Sequence, residues 1–388
     1  MPYDLSSDQA LFREAVQAYL GRTYGQDVRH EIVHSDAGLS ADVWRGLATE
    51  IGVLGLGFDE GHGGLGGGAI DQIPVMEAFG QALLVEPYLE TVILAGELLK
   101  RSSQPVARNL IDGIIAGEVR LALARTEPES RFNPDHIATK AERMDGGGFR
   151  LTGRKTMVVA APWADYLLVV ASLSGLPEDV AGHAVFVIPA GAAGLAMAQY
   201  PTIDGRRAAD IELSGVVVAA DACILEGQGA IDAIDAAHDA AAAGVCAEAV
   251  GIMRRLLGET HVYLQERKQF GAPLASFQAL QHRMADMLIA LELSSAHAYR
   301  AASAVMGSSV PDRRSAVSAA KAFVGRAAHR MGQEAIQMHG GMGMTDELII
   351  GHLFRRAIAI EAQFGSTDHH VRRFQALRRD VAADGSLH

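Results

Sequence analysis

Phe149-Arg150-Leu151-Thr152-Gly153, Tyr166-Leu167-Leu168-Val169-Val170, His183 to Ile188 and Ile211-Glu212-Leu213 are short runs rich in β-branched and aromatic residues, set apart by Gly, Pro and Asp. That texture reads as strands joined by turns, and it is confined to about residues 119–222. Toward the N-terminus the pattern is helical. Ser6 and Gln9 have the spacing of a capping box, and Leu11, Phe12, Val16, Tyr19 and Leu20 follow at helical period. Another helix starts at residue 41, and Ile73–Leu84 and Tyr88–Leu99 continue the pattern around a glycine-rich interruption at Gly61–Gly68. Beyond Gly229 strand signals vanish. Ala/Leu/Met-rich periodicity predicts helices over Val262–Gln269, Phe277–Ala298, Arg313–Met338 and Leu348–Ala362, whose apolar faces suit a bundle. Helix, sheet, helix without βαβ alternation or internal repeat is an α+β order, divided at 1–118, 119–224 and 225–388.

The chain has 388 residues, 49% hydrophobic and 21% charged, enough for a core spread over two or three domains. No stretch approaches the roughly 18 uninterrupted apolar residues of a membrane helix, so no membrane span is expected. Lys+Arg 34 against Asp+Glu 46 gives −12. That balance argues against a nucleic-acid surface, and an anionic ligand would need a local basic pocket. Cys223 and Cys246, the only cysteines, can form neither a disulfide framework nor a four-thiolate zinc site. With no signal-like opening segment, a cytoplasmic location is the expectation.

Several chemistries fail on their motifs. Gly61–Gly68 and Gly340–Met344 look permissive for phosphate, yet neither carries the Lys-Ser/Thr of a P-loop or sits in a strand-to-helix turn of a dinucleotide fold. His30-Glu31-Ile32-Val33-His34 has the His-Glu-x-x-His spacing, but it supplies only two of the three protein ligands a catalytic zinc needs and no third is identified, so no metal is expected. His369-His370 lack further ligands at metal spacing and read as surface histidines, and no Gly-x-Ser-x-Gly elbow supplies a hydrolase nucleophile.

Other segments, in order, are Trp44-x-x-Leu47, Gly52-Val53-Leu54-Gly55, Glu60-Gly61-x-Gly63-Gly64-Leu65-Gly66, Thr126-Glu127-Pro128, Gly153-x-Lys155, Glu266-Arg267-Lys268-Gln269-Phe270-Gly271, Phe277-Gln278 and Gln337-Met338-His339-Gly340-Gly341-Met342-Gly343. Together they resemble the acyl-CoA dehydrogenase family of flavoproteins over essentially the whole chain. The resemblance implies that family's fold: a helical N-terminal domain, a central β-barrel-like domain and a C-terminal four-helix bundle. It also implies FAD as cofactor, an acyl-CoA substrate and electron-transfer flavoprotein as electron acceptor.

Arg267 is a fixed cation suited to a pyrophosphate, and Phe270 beside it offers an aromatic face. A surface arginine at a helix C-terminus is the competing reading. Gln337 with Gly340 and Gly341 joins an amide to backbone without Cβ, which a dinucleotide can approach closely; a helix C-cap would look the same. In the family this segment reaches the flavin of a neighbouring subunit, which implies a homo- or hetero-oligomer. By resemblance Gln278 and Ser366 also lie at the cofactor. Thr126, with Leu123 and Arg125 beside it, matches the position that approaches the flavin ring. Met157 and Val159 stand where an aromatic and a hydroxyl usually cover the flavin, and Glu129-Ser130-Arg131-Phe132-Asn133 replaces the usual Gly-x-Gly-Ser-Asp. For the CoA phosphates, Arg254, Arg255, Arg355 and Arg356 are nominated by charge and helical placement, against solvated helix faces.

The family reaction needs a carboxylate over the substrate's α carbon. The family's Tyr-Glu-Gly-Thr segment reads Gln363-Phe364-Gly365-Ser366 here, and the alternative glutamate position, ten residues before Gly251, is Ala241. Both usual bases are absent. Asp239 is the nearest replacement, although two residues along a helix is a rotation of about 200°. Glu248 shares a helix face with Ala241 about 10 Å further on and suits a polar contact deeper in the substrate pocket, beside the apolar Met157, Val159 and Phe364. Glu361 is a further candidate, with a salt bridge to Arg356 or Arg372 as its alternative. The tail Phe364 to His370, Asp204 to Ala209 and Cys246 to Gly251 resemble the small subunits of heteromeric pimeloyl-CoA and steroid side-chain dehydrogenases. This implies a sister chain that supplies the base. A self-sufficient homo-oligomer with a relocated base, a flavin monooxygenase or oxidase, and a non-catalytic binding subunit are the alternatives.

Overall fold

In the computed structural model the described residues are 5–383 except 131, 132, 134 and 178. The elements in order are α1 (Ser7–Thr23), α2 (Gln26–His34), α3 (Ala41–Thr49), α4 (Ala69–Ala82), α5 (Gly96–Leu99) and α6 (Pro105–Ile115). Strands follow: β1 (Leu121–Ala124), β2 (Lys140–Arg143), β3 (Phe149–Val159), β4 (Tyr166–Ser172), β5 (His183–Pro189), β6 (Leu195–Pro201), β7 (Arg207–Val218) and β8 (Cys223–Glu226). The rest is α7 (Gly227–Glu266), a small hairpin of β9 (Lys268–Gln269) and β10 (Ala272–Pro273), then α8 (Gln278–Gly307), α9 (Val310–His339), α10 (Ile349–Ala362) and α11 (Thr367–Ala383). This is the helix, sheet, helix order read from the sequence. Among the described residues no helix is long and apolar enough to cross a membrane.

By contact the chain divides into two units, one of Met1–Arg29, Gly68–Leu84 and Ala242–His388, the other of His30–Gly67 and Val85–Ala241. The second is built on one sheet in the order β6-β7-β3-β2-β4-β5-β8, with β1 parallel to β4. Its core is Leu151, Leu167, Val169, Phe186, Ile188 and their neighbours, so the runs that marked strands are also the buried ones. β6 was not read from the sequence because its residues are mostly exposed and carry little pattern. Tyr88–Leu99, read as helical, is wound as a π-helix over Leu89–Ala95 before α5. There Thr91 Oγ1 both donates to Leu121 O (3.0 Å) and accepts from Leu121 N (3.1 Å), tying the widened turn to β1. The loop at Gly61–Gly68 is closed by its own backbone. The amides of Leu65, Gly66 and Gly67 donate to Gly55 O, Phe58 O and Leu56 O, so these groups are not offered to a phosphate.

In the first unit the expected capping box holds: Gln9 N donates to Ser6 Oγ (3.2 Å) and Ser6 N to Gln9 Oε1 (3.0 Å). The helix expected over Val262–Gln269 ends at Glu266 instead. Phe270 and Gly271 both take positive φ, 56° and 81°, which turns the chain back into the β9-β10 hairpin. Helix α9 is flanked by α8, α10 and α11. Helices α4 and α7 cross at backbone distance: a Cβ on Gly80 would lie 2.0 Å from Glu248 O, and one on Gly251 2.0 Å from Glu77 O. Each helix therefore needs a glycine opposite the other's carbonyl. Arg255 Nη1 donates to Gln81 O (2.6 Å) and Arg29 Nε to Leu83 O (2.9 Å), satisfying the last carbonyls of α4.

Gly251→Ala should destabilise the protein by about 2 kcal/mol, overpacking strain of about 3 less about 1 of helix propensity gained. Gly258→Ala, with no atom near its would-be Cβ, should stabilise by up to about 1 kcal/mol. Urea unfolding of the two variants tests the crossing, and equal midpoints would refute it.

Candidate functional site

In the sheet unit, Thr126 and Met157 are brought together where β3 runs past the end of β1. Thr156 N donates to Thr126 O (2.9 Å), Thr126 is exposed, and Met157 is 52% exposed with φ +53°. Asp210 holds that backbone: its Oδ1 accepts from Met157 N (3.0 Å), Thr156 Oγ1 (2.8 Å) and Tyr200 OH (2.8 Å). These bonds keep the Asp210 carboxyl below its usual range. Val159 is half-buried two residues on. Beneath Thr126 lies an ion pair that the sequence did not reveal. Lys155 Nζ donates to Glu127 Oε1 (2.6 Å) and Arg125 O (3.2 Å), while Glu127 also accepts from Ala138 N and Thr139 N. Both side chains are buried. Burial brings Lys155 down to about 8, and the ammonium, with the donors from Ala138 and Thr139, keeps Glu127 low against its own burial. Thr126-Glu127-Pro128 and Gly153-x-Lys155 thus form one pinned support. Arg131 and Phe132 of the altered segment lie outside the described residues.

In the other unit, Arg267, Phe270 and Gln278 gather around the β9-β10 hairpin and are exposed. Gln337, Gly340 and Gly341 stand exposed at the end of α9. The two groups are joined by Tyr263, one turn before Arg267, whose ring stacks on His339 (4.3 Å) and whose hydroxyl donates to His339 O (3.2 Å). Phe270 is 89% exposed, in a backbone conformation that side chains with a Cβ disfavour. Its ring meets Phe277 edge-on at 6.1 Å. Nothing crowds the would-be Cβ positions of Gly340 and Gly341, and among the described residues no ion-pair partner accompanies Arg267. A cation, an aromatic face, two amides and bare backbone left open together fit the pyrophosphate and adenosine of a dinucleotide.

The positions around the expected base are apolar or engaged. Ala241 is fully buried within the run Ala240 to Ala243, and Asp239 is 1% exposed. Glu248 forms a bidentate pair with Arg356, Nε to Oε1 at 2.6 Å and Nη2 to Oε2 at 2.7 Å, with both residues buried. Arg356, nominated for CoA phosphates, is therefore closed off as a surface cation. Arg254 pairs with Glu77 (3.5 Å), Arg255 serves α4 and Glu259, and Arg355 pairs with Asp346 (2.8 Å). Glu361 bridges to neither Arg356 nor Arg372; its Oε1 accepts from Thr367 N (2.8 Å) at the start of α11. Ser366, expected at the cofactor, caps α11 by accepting from His369 N (3.3 Å).

Phe364 is half-buried at φ +59°. His370 is not the surface residue expected: it is buried, with Nε2 3.0 Å from Phe364 O and Nδ1 3.3 Å from Ser318 Oγ. The pairing with a carbonyl assigns the Nε2–H tautomer. Burial, and then the charges of Lys321 from α9 and of His369 and Arg373 on α11, bring its pKa down to about 3. Lys321 is buried too, with Nζ donating to Glu361 O (3.0 Å) and Gly365 O (2.9 Å). Neither residue was singled out for this role from the sequence.

Three family models match the chain: the acyl-CoA dehydrogenase N-terminal domain over residues 6–118, the middle domain over 122–216 and the C-terminal domain over 227–376. The chain is 30% identical over 340 residues to acyl-CoA dehydrogenase FadE27 of Mycobacterium tuberculosis, covering 86% of each. Its structure is similar to that of the ChsE4-ChsE5 complex from Mycobacterium tuberculosis, with a TM-score of 0.87, 26% identity and coverage of 98% and 99%. It is also similar to a variant of the Tcur3481-Tcur3483 steroid ACAD, with a TM-score of 0.86, 25% identity and coverage of 97% and 99%.

His370 stays neutral in the folded chain down to about pH 3, whereas in the unfolded chain it protonates near 6.5. Below pH 6.5 the unfolded state therefore binds the extra proton, and stability falls as pH falls. The contribution approaches about 1.4 kcal/mol per pH unit by pH 5. Urea melts at pH 7, 6 and 5 should show a flatter dependence for His370→Gln by about that amount; parallel curves would contradict the assignment.

Proposed function

The chain belongs to the acyl-CoA dehydrogenase family, oxidoreductases acting on CH–CH bonds, and on that premise we propose that it serves FAD-dependent α,β-dehydrogenation of an acyl-CoA as one subunit of a heteromeric dehydrogenase. The observation that carries the subunit reading is the loss of a carboxylate at both base positions, Ala241 and Phe364, with the nearby Glu248 already bound on both oxygens by Arg356. The ChsE4-ChsE5 complex, named for two chains, supports a paired assembly, and the other structural relative's name supports steroid acyl-CoA thioesters as the substrate class.

When bound, FAD supplies a hydride acceptor for the substrate's β carbon. This chain's residues bind and orient. Arg267 neutralises pyrophosphate, Phe270 covers an aromatic ring, Gln278 and Gln337 give amide contacts, and Gly340 and Gly341 let backbone approach. Thr126 and Ser366 present hydroxyls beside the flavin, Ser366 while capping α11. Met157, Val159 and Phe364 offer apolar contact to the acyl group, and Glu248, held by Arg356, is the polar member of that set. No side chain at either usual position can take the α proton, so the sister subunit supplies that base. Asp239 takes that role only in the self-sufficient alternative. The proposal keeps domains at 1–118, 119–224 and 225–388, a cytoplasmic setting and electron-transfer flavoprotein as acceptor.

The test is the flavin content of the chain purified alone and co-expressed with a sister acyl-CoA dehydrogenase chain. Yellow protein in at least one preparation is expected, with Arg267→Ala lowering FAD per chain tenfold or more. Colourless protein in both, or full flavin in Arg267→Ala, would overturn the reading.

A further inference from the structure

The turn between α10 and α11 is held more firmly than a four-residue connection requires. Two of its carbonyls and one just before it are bound by side chains: Gly365 O and, in the last turn of α10, Glu361 O by Lys321 Nζ, and Phe364 O by His370 Nε2. The Glu361 carboxylate receives Thr367 N, and Ser366 Oγ receives His369 N, so the first turn of α11 is satisfied as well. Gly365 has φ +108°, and a Cβ there would lie 2.7 Å from His369 Cδ2 and 3.0 Å from His370 Nε2. Phe364, a residue with a Cβ, is kept at φ +59°. Such a conformation persists only where its surroundings over-determine it.

Lys321 is the unusual member. A buried ammonium is costly unless it is well satisfied, and the other buried lysine, Lys155, has a carboxylate 2.6 Å away. Lys321 has two peptide carbonyls, Glu361 O in the last turn of α10, at the negative end of its dipole, and Gly365 O in the connection itself. Its cation is placed for the turn's backbone rather than for a side chain.

Resting on the reading that Phe364 stands where the family carries its base, we propose that Lys321 and His370 are positioning residues that clamp the Phe364-Gly365 turn. The clamp fixes the wall presented to the acyl thioester at this position, whether or not the wall carries a base. Here the wall is apolar, and the cradle that would aim a carboxylate is still in place. A glutamate put back at 364 therefore falls into a prepared position.

Two measurements on the FAD-loaded full chain test this. The first is hydrogen-deuterium exchange of peptides covering 363–368. Lys321→Met should speed exchange there tenfold or more while the sheet unit is unchanged, and His370→Gln provides a second variant should Lys321→Met fold poorly. Unchanged exchange in this segment in both would overturn the clamp. The second is anaerobic bleaching of the flavin by acyl-CoAs in Phe364→Glu, with and without His370→Gln. Bleaching gained in the single variant and slowed tenfold or more in the double, at equal flavin content, supports the proposal. Equal rates in the two would overturn it. No bleaching in Phe364→Glu, with exchange still accelerated in Lys321→Met, would support the clamp and count instead against the reading of position 364.

Discussion

The crossing of α4 and α7 constrains much of the helical unit. Backbone meets backbone there, Gly80 against Glu248 O and Gly251 against Glu77 O, and no side chain can be inserted at either point. The same stretch of α7 carries the Glu248 carboxylate, whose two oxygens each accept from Arg356 of α10. Removing one partner of such a pair strands a buried charge and costs about 3–5 kcal/mol, so the pair locks α7 to α10 in one register. Helix α10 leads directly into the Phe364-Gly365 turn. The placement of that turn thus rests on a glycine contact more than a hundred residues earlier in the chain.

Each unit also has a rigid support of its own chemistry. In the sheet unit the buried Lys155-Glu127 pair pins the segment that presents Thr126, and Asp210 sets the left-handed backbone of Met157. In the helical unit Lys321 and His370 set that of Phe364. In both cases a polar side chain binds backbone next to an apolar side chain, Met157 or Phe364, that the proposed function places at the cofactor or substrate. On the proposed reading the scaffold of a dehydrogenase site is kept, while the group that would remove a proton is supplied from elsewhere. That combination is what a subunit completed by a sister chain requires.

Much of the fold was legible because burial and period coincide. Leu167 to Val170 and His183 to Ile188 are buried along their length, and Ser6 and Gln9 form the capping box that their spacing announces. What escaped lacks such a signal. β6 is largely exposed, the π-winding at Leu89–Ala95 has the composition of an α-helix, and a Phe-Gly turn with positive φ at phenylalanine goes against turn preference. At the site, motif spacing pointed to Arg267, Phe270 and Gln337, which are exposed as a cofactor contact needs. Pairings across long separations were invisible: Glu248 with Arg356, and Lys321 with a turn some forty residues on. A lone lysine or histidine in a helix reads as solvated, and only the folded chain shows that Lys321 and His370 are enclosed.

The central claim is that this chain holds flavin in a dehydrogenase scaffold without a proton-abstracting base of its own. The most direct measurement is the anaerobic flavin spectrum of the purified native chain before and after addition of a panel of acyl-CoAs, steroid thioesters included. An oxidised spectrum that persists with every thioester, and bleaches once the sister chain is present, is the predicted result. Prompt bleaching by the chain alone would contradict it and place the base within this sequence.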